Sequence, residues 1–174
     1  MFARQLRRNA VNLGTYAEPA GDIRLRDAIA RHVTISRGVS AVGDEVFITS
    51  GIQQALDLVA RVLLAPGDVV AVEDPCYVLA TMLFRSQRCD VVGVPVDDEG
   101  LIVSATPHGA RLIYVTPSHQ FPLGMSMSLN RRRQLLDHAK RTGAVIVEDD
   151  YDSEFRYAGR PMETLQSSDD EGRV

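Results

Sequence analysis

Lysine is nearly missing from this sequence. Of the 19 lysines and arginines, only Lys140 is a lysine. Any chemistry that needs a lysine amine therefore has one candidate. Lys140 stands one position past Ala139, near the end of a predicted helix and at the rim of its apolar face, and Arg141-Thr142-Gly143 follow. A side chain placed there extends into solvent, whereas a nucleophilic lysine needs a desolvated or cation-flanked setting. Cysteine is scarce as well. Cys76 and Cys89 form no CxxC pair and have no nearby His partner, which argues against a thiolate metal centre; they read as two buried, reduced thiols. No stretch approaches the ~20 apolar residues of a membrane helix. Arg4, Arg7 and Arg8 are followed by no apolar run of the kind a secretory leader carries, so a cytoplasmic chain is expected. The phosphate motifs GxGxxG and GxxxxGK[ST] are absent, so a nucleotide is not the favoured ligand. The net charge of −4 leaves no electrostatic footprint for nucleic acid. The short runs Arg7-Arg8 and Arg131-Arg132-Arg133 read as solvated helix faces.

What is present is ordinary globular material. The 174 residues, 45% hydrophobic and 24% charged, suffice for one domain with a real core. Residues 1–20 look irregular. Asp22 is placed to cap a helix in which Leu25, Ala28, Ile29, His32 and Val33 recur at helical spacing, with Gly38 as its C-terminal cap. Strands are expected at Val46–Thr49, Val69–Glu73, Val91–Val96, Leu112–Thr116 and Ala144–Val147. Helices are expected at Gln53–Leu64, at Tyr77–Arg85 and after a cap at Ser128 or Asn130. Asp97–Gly100 reads as a turn, Pro117–Ser128 as a long loop, and Ser167–Gly172 as a polar, mobile tail. Continuously apolar strands alternating with amphipathic helices predict an α/β fold around a mostly parallel sheet.

Ligands in such sheets bind beyond the carboxyl ends of the strands, which selects three stretches. At Thr49-Ser50-Gly51-Ile52-Gln53-Gln54 a strand ends and a helix begins. The free N–H groups of that turn suit a phosphate, although a ligand-free junction has the same pattern. In Glu73-Asp74-Pro75-Cys76-Tyr77, Pro75 suits a helix start, and the Tyr77 ring either stacks on a flat heterocycle or packs on the surface. At Glu148-Asp149-Asp150-Tyr151-Asp152 several acids cluster at a buried strand end, which demands a nearby cation or a site that needs charge. A carboxylate here can keep a pyridine nitrogen protonated. Metal binding is the competing use of such acids.

Taken together, YAEPAGDIRLRDAIARHVTISRGV, VFITSGIQQALDLVARVLLAPGDVVAVEDPCY, IYVTPSHQFPLG and VIVEDDYDSEFRY resemble fold type I enzymes of aminotransferase class I/II. The nearest likeness is to the aminotransferase-like domain of MocR/GabR-type transcription regulators, and it runs from about Tyr16 to the C-terminus. The resemblance implies a pyridoxal 5'-phosphate (PLP) site. Ser50, Gly51, Ile52 and Gln53 would form the phosphate cup and Tyr77 would stack on the pyridine ring. Asp149 would pair with the pyridinium nitrogen and Tyr151 would reach the ring hydroxyl. It also implies an amino-acid or amine ligand, a homodimer, and either transamination or, in a regulator, effector sensing and dimerisation without turnover. Phe121 precedes Pro122 where many aminotransferases place an Asn, which favours the regulator subgroup. The implied layout is an N-terminal segment, 1–20, and a partial large domain, 21–174. The family's Schiff-base lysine belongs in a Ser-Lys motif beyond the last matching stretch. The chain reaches Val174 without it and is expected to be an inactive fragment of marginal stability.

Overall fold

The computed structural model describes residues 16, 18–151 and 163–174. Most of the 1–20 segment, including Arg7-Arg8, and the DSEFRY end of the last matching stretch lie outside the described residues. Within these residues four α-helices and five strands follow in the order α1 (Ile23–Arg37), α2 (Ile52–Leu63), β1 (Val69–Asp74), α3 (Val78–Ser86), β2 (Asp90–Asp97), β3 (Gly100–Leu101), β4 (Ala110–Val115), α4 (Leu129–Thr142) and β5 (Val145–Glu148). The sheet order is β3-β2-β1-β4-β5. Neighbours are parallel except for the two-residue β3, which runs antiparallel to β2. The α/β expectation holds. From β1 the chain goes first to one side and then crosses to the other, so the strand order reverses between β1 and β4. A crevice opens at such a reversal.

Alternation along each strand divides the core into two layers. Ala71, Ile113, Val115 and Ile146 pack under α4, against Leu135 and Ala139. Val70, Val72, Leu112 and Tyr114 pack under α2 and α3, against Leu56, Ala60, Ala80 and Phe84. The caps fall where the sequence places them. The Asp22 side chain accepts from the N–H of Arg24, and Gly38 closes α1 in the left-handed region at φ 70°. Ser128, rather than Asn130, caps α4 by accepting from the N–H of Arg131. Among the described residues no helix is long and apolar enough to cross a membrane.

Several expectations are corrected. Val46–Thr49 is not a strand. Among the described residues its backbone gains one bond to another segment, from the N–H of Ile48 to the carbonyl of Ala20 at 2.9 Å, and an apolar run without a ladder neighbour cannot form a sheet. Asp97–Gly100, by contrast, is the turn expected, and it closes a hairpin, because Gly100 pairs with Asp97 across it to start β3. Pro75 does not start a helix: α3 begins at Val78, and the Pro75 carbonyl accepts from Gln120 Nε2. Cys89 is buried but Cys76 only partly so, and both thiols are free. The tail is held rather than loose. Gln166–Ser168 forms a 3-10 turn, and the Asp169 carboxylate accepts from the N–H groups of Glu171, Arg173 and Val174.

The arginine run departs most from expectation. Arg133 is exposed, but Arg131 and Arg132 are buried. Arg131 donates to the carbonyls of Gly100 and Leu101 at 3.0 and 2.6 Å and pairs with Asp97 at 2.9 Å, which pins the β2–β3 hairpin to α4. Arg132 donates to the carbonyls of Met127, Pro117 and Glu163 and faces Glu148 at 3.7 Å. Composition could not distinguish these buried cations from the exposed one beside them.

Glu73, at the end of β1, is 1% exposed. Its Oε2 accepts from the N–H and hydroxyl of Thr116 and from Gln120 Nε2, while Oε1 has no partner. Burial, only partly offset by these bonds, pushes its carboxyl pKa up. A raised carboxyl contributes stability that is complete below its unfolded pKa and is lost as pH rises through the folded one.

Two predictions follow from these contacts. Arg132→Met removes the cation facing Glu148 and should cost about 3–5 kcal/mol, whereas Arg133→Met should stay within about 0.5 kcal/mol; urea unfolding measures both, and equal losses would refute the distinction. Glu73→Gln should flatten the fall in stability above pH 4.5, the ordinary glutamate value. Melts across pH 4.5 to 8 test this, and parallel curves for the two proteins would count against a raised Glu73.

Candidate functional site

At the carboxyl ends of β1, β4 and β5 lies a cavity of about 390 Å³, lined by Ile52, Tyr77, Tyr114, Thr116, Phe121, Asp149 and Tyr151. Each comes from a position that the topology dictates. Ile52 opens α2, and Tyr77 caps α3 just after β1. Thr116 and Phe121 follow β4, and Asp149 and Tyr151 follow β5. Four residues selected from sequence, Ile52, Tyr77, Asp149 and Tyr151, thus meet in one cavity. Ser50, Gly51 and Gln53 do not line it; they flank Ile52 at the start of α2.

That turn has open donors. Gly51 is the N-cap at φ 140°, a conformation that favours glycine, and nothing lies within 4 Å of where a Cβ would stand. No side chain caps the helix start. The Ser50 N–H and hydroxyl are both committed to Gln54 Oε1, at 2.6 and 2.9 Å. The Gln53 amide nitrogen is buried without a partner. Such a turn suits an anion.

The walls are aromatic. Tyr77 meets Phe121 edge-on with ring centroids 6.0 Å apart, and Phe121 meets Tyr151 edge-on at 6.1 Å. His119 stacks on Tyr151 at 5.6 Å, with planes 15° apart. Gln120, 1% exposed, fixes this loop through its bonds to Glu73 and Pro75.

The acids at the end of β5 have three different environments. Glu148 faces Arg132 and accepts from the N–H groups of Leu165 and Gln166. Asp150 pairs with Arg37 of α1 at 2.6 Å. Asp149 has no cation among the described residues; its Oδ2 accepts from the Tyr114 hydroxyl at 2.6 Å. Burial raises the Asp149 carboxyl pKa, the Tyr114 bond opposes that rise, and neighbouring Asp150 adds to it. Two of the three acids therefore serve the fold, while the third presents charge to the cavity. A flat cationic heterocycle carrying an anionic arm fits this arrangement of carboxylate, aromatic walls and open helix start.

Lys140 lies elsewhere. It occupies the last turn of α4, exposed, in an ion pair with Glu171 that raises its amine pKa. Sequence reasoning missed Tyr114, Thr116, His119, Gln120 and Arg37. Inside an apolar strand Tyr114 reads only as core, and the partners of Arg37 and Gln120 are 113 and 47 positions away.

Comparison with known proteins agrees with this geometry. The model for "Aminotransferase class I and II" matches residues 3–168. A probable rhizopine catabolism regulatory protein, MocR, from Rhizobium meliloti is 41% identical over 99% of this chain and 36% of its own length. Aromatic-amino-acid aminotransferase 1 of Thermococcus litoralis is 34% identical over 97% of this chain and 43% of its own. The crystal structure of Pyrococcus horikoshii kynurenine aminotransferase superposes with a TM-score of 0.91 at 34% identity, covering 99% of this chain and 45% of that one. The chain thus spans well under half the length of these relatives. A match over nearly every residue, joined to a cavity where the strand order reverses, places this chain in the aminotransferase class I and II family.

Proposed function

We propose that this chain carries the ring- and phosphate-binding half of a PLP site. The observation that carries the reading is the separation of the three acids: Glu148 and Asp150 each face an arginine, and Asp149, at the cavity, faces none among the described residues. A pyridinium nitrogen would supply the missing cation. Asp149 would hold that proton on the ring, since an opposite charge favours the charged form. Tyr77 would cover one face of the ring and Tyr151 would reach its hydroxyl. Gly51, Ile52 and Gln53 would take the phosphate through backbone N–H groups and the Gln53 amide, and Ser50 would join them by exchanging its bonds to Gln54 for the phosphate. When bound, PLP supplies an electron sink for reactions at the α-carbon of an amino acid or amine. In the whole protein such a molecule would be the ligand, and the assembly a homodimer.

A second reading concerns the role of the site: sensing an effector inside a transcription regulator, without turnover. Phe121 supports it. Its ring stands at the cavity wall, where an Asn side chain would offer a hydrogen bond. MocR, a regulator, is among the relatives with most identity to this chain.

Affinity for pyridoxamine 5'-phosphate, measured by fluorescence, tests the assignment. Asp149→Ala should weaken binding about tenfold for each unit of ring pKa it sustains, with only a small drop in melting temperature from the orphaned Tyr114 hydroxyl. Asp150→Ala should instead lower the melting temperature, because buried Arg37 loses its partner, and should have the smaller effect on affinity. Equal affinity losses would show that the wrong carboxylate has been chosen. Treatment with PLP and borohydride should give only a sub-stoichiometric adduct at Lys140. A stoichiometric adduct there in folded protein would contradict the placement of that amine outside the site.

A further inference from the structure

We propose that Tyr114 is the positioning residue of this site: its hydroxyl grips Oδ2 of Asp149 and leaves Oδ1 as the oxygen offered to a ligand's protonated ring nitrogen. The inference rests on the PLP reading above and adds a residue to it. The register explains the contact. Tyr114 on β4 stands beside Val147 on β5, and Asp149 lies two positions further along. Side chains two positions apart share a face, and a diagonal neighbour on the next strand is within reach of an aromatic side chain. The Asp149 N–H extends the ladder by one bond, to the carbonyl of Val115 at 2.9 Å, so the carboxylate's backbone is fixed as well.

The donor itself is immobilised. Tyr114 is 0% exposed, and its ring lies edge-on to Phe84, with centroids 6.3 Å apart. Burial and then the Asp149 carboxylate hold its phenol pKa far above the ordinary range, with Cys76 and Glu73 adding to the effect, so the hydroxyl keeps its proton. Among the described residues Oδ1 of Asp149 has no hydrogen-bond partner, whereas Oδ2 is committed at 2.6 Å. Without the hydroxyl, burial and the Asp150 charge would act on Asp149 unopposed, and its carboxyl would protonate more readily. A protonated carboxyl has no charge with which to keep a ring nitrogen cationic.

The test uses the full chain with ¹³C-labelled Asp and Tyr, as wild type, Tyr114→Phe and Asp149→Asn. NMR follows the Asp149 carboxyl titration. Fluorescence gives the affinity for pyridoxamine 5'-phosphate and for its 1-deaza analogue, in which carbon replaces the ring nitrogen. Tyr114→Phe should raise the Asp149 pKa and weaken pyridoxamine phosphate about tenfold, the usual scale for a hydrogen bond to a charged group. Binding of the 1-deaza analogue should stay the same, which a merely structural role for Tyr114 would not give. If Asp149→Asn loses affinity but Tyr114→Phe changes neither titration nor binding, the positioning role is wrong and the PLP reading stands. If Asp149→Asn binds as wild type does, both fall. Should Tyr114→Phe fail to fold, the reciprocal measurement decides: the ¹³Cζ resonance of Tyr114 must move as the Asp149 carboxyl titrates in the wild type, and a resonance that ignores that titration would overturn the coupling.

Discussion

A carboxylate at the end of a buried strand loses its water, and the loss is severe unless donors or cations replace it. This sheet places Glu73 at the end of β1 and Glu148, Asp149 and Asp150 at the end of β5, all within one region. Much of the surrounding chain is arranged to answer them. Thr116 and Gln120 turn inward to Glu73. Arg132 comes across from α4, Arg37 comes from α1, and the chain at Leu165 and Gln166 supplies two N–H groups. The loops and the helix ends are positioned by this need as much as by apolar packing. Of the acids at the end of β5, Asp149 alone faces no cation among the described residues, and it marks the place where the molecule is open to chemistry.

The two faces of the sheet divide the labour. On the α4 side Leu135 and Ala139 meet Ile146, with the buried arginines beside them, and this side is structural. On the side of α2 and α3 Phe84 meets Tyr114, and from this side the cavity takes the first residue of α2 and the cap of α3. Because successive strand residues point to opposite faces, Glu148 and Asp149 can be neighbours in sequence and still have unrelated roles.

The sequence revealed what depends on local pattern. Apolar runs located β1, β2, β4 and β5, and Asp22, Gly38 and Ser128 marked helix ends through capping chemistry that acts over a few residues. Strand ends pointed to Ile52, Tyr77, Asp149 and Tyr151, which share the cavity. Pattern failed where the deciding partner is distant. Val46–Thr49 has the composition of a strand, but a strand exists only beside another. Arg131, Arg132 and Arg133 look alike in sequence, yet only the first two meet carbonyls and carboxylates brought in from remote segments. Tyr114 looked like core and is core; its hydroxyl has a second role that no local rule exposes.

The bridge from Arg37 to Asp150 makes the site sensitive to what lies at the other end of a helix. Arg37 is the last residue of α1, and its guanidinium also holds Ser118, in the loop that carries His119, Gln120 and Phe121. One rigid fifteen-residue rod thus grips both the residue next to Asp149 and the loop that forms the aromatic wall. Displacing that helix therefore moves a buried cation shared by the residue next to Asp149 and by the loop that forms the aromatic wall.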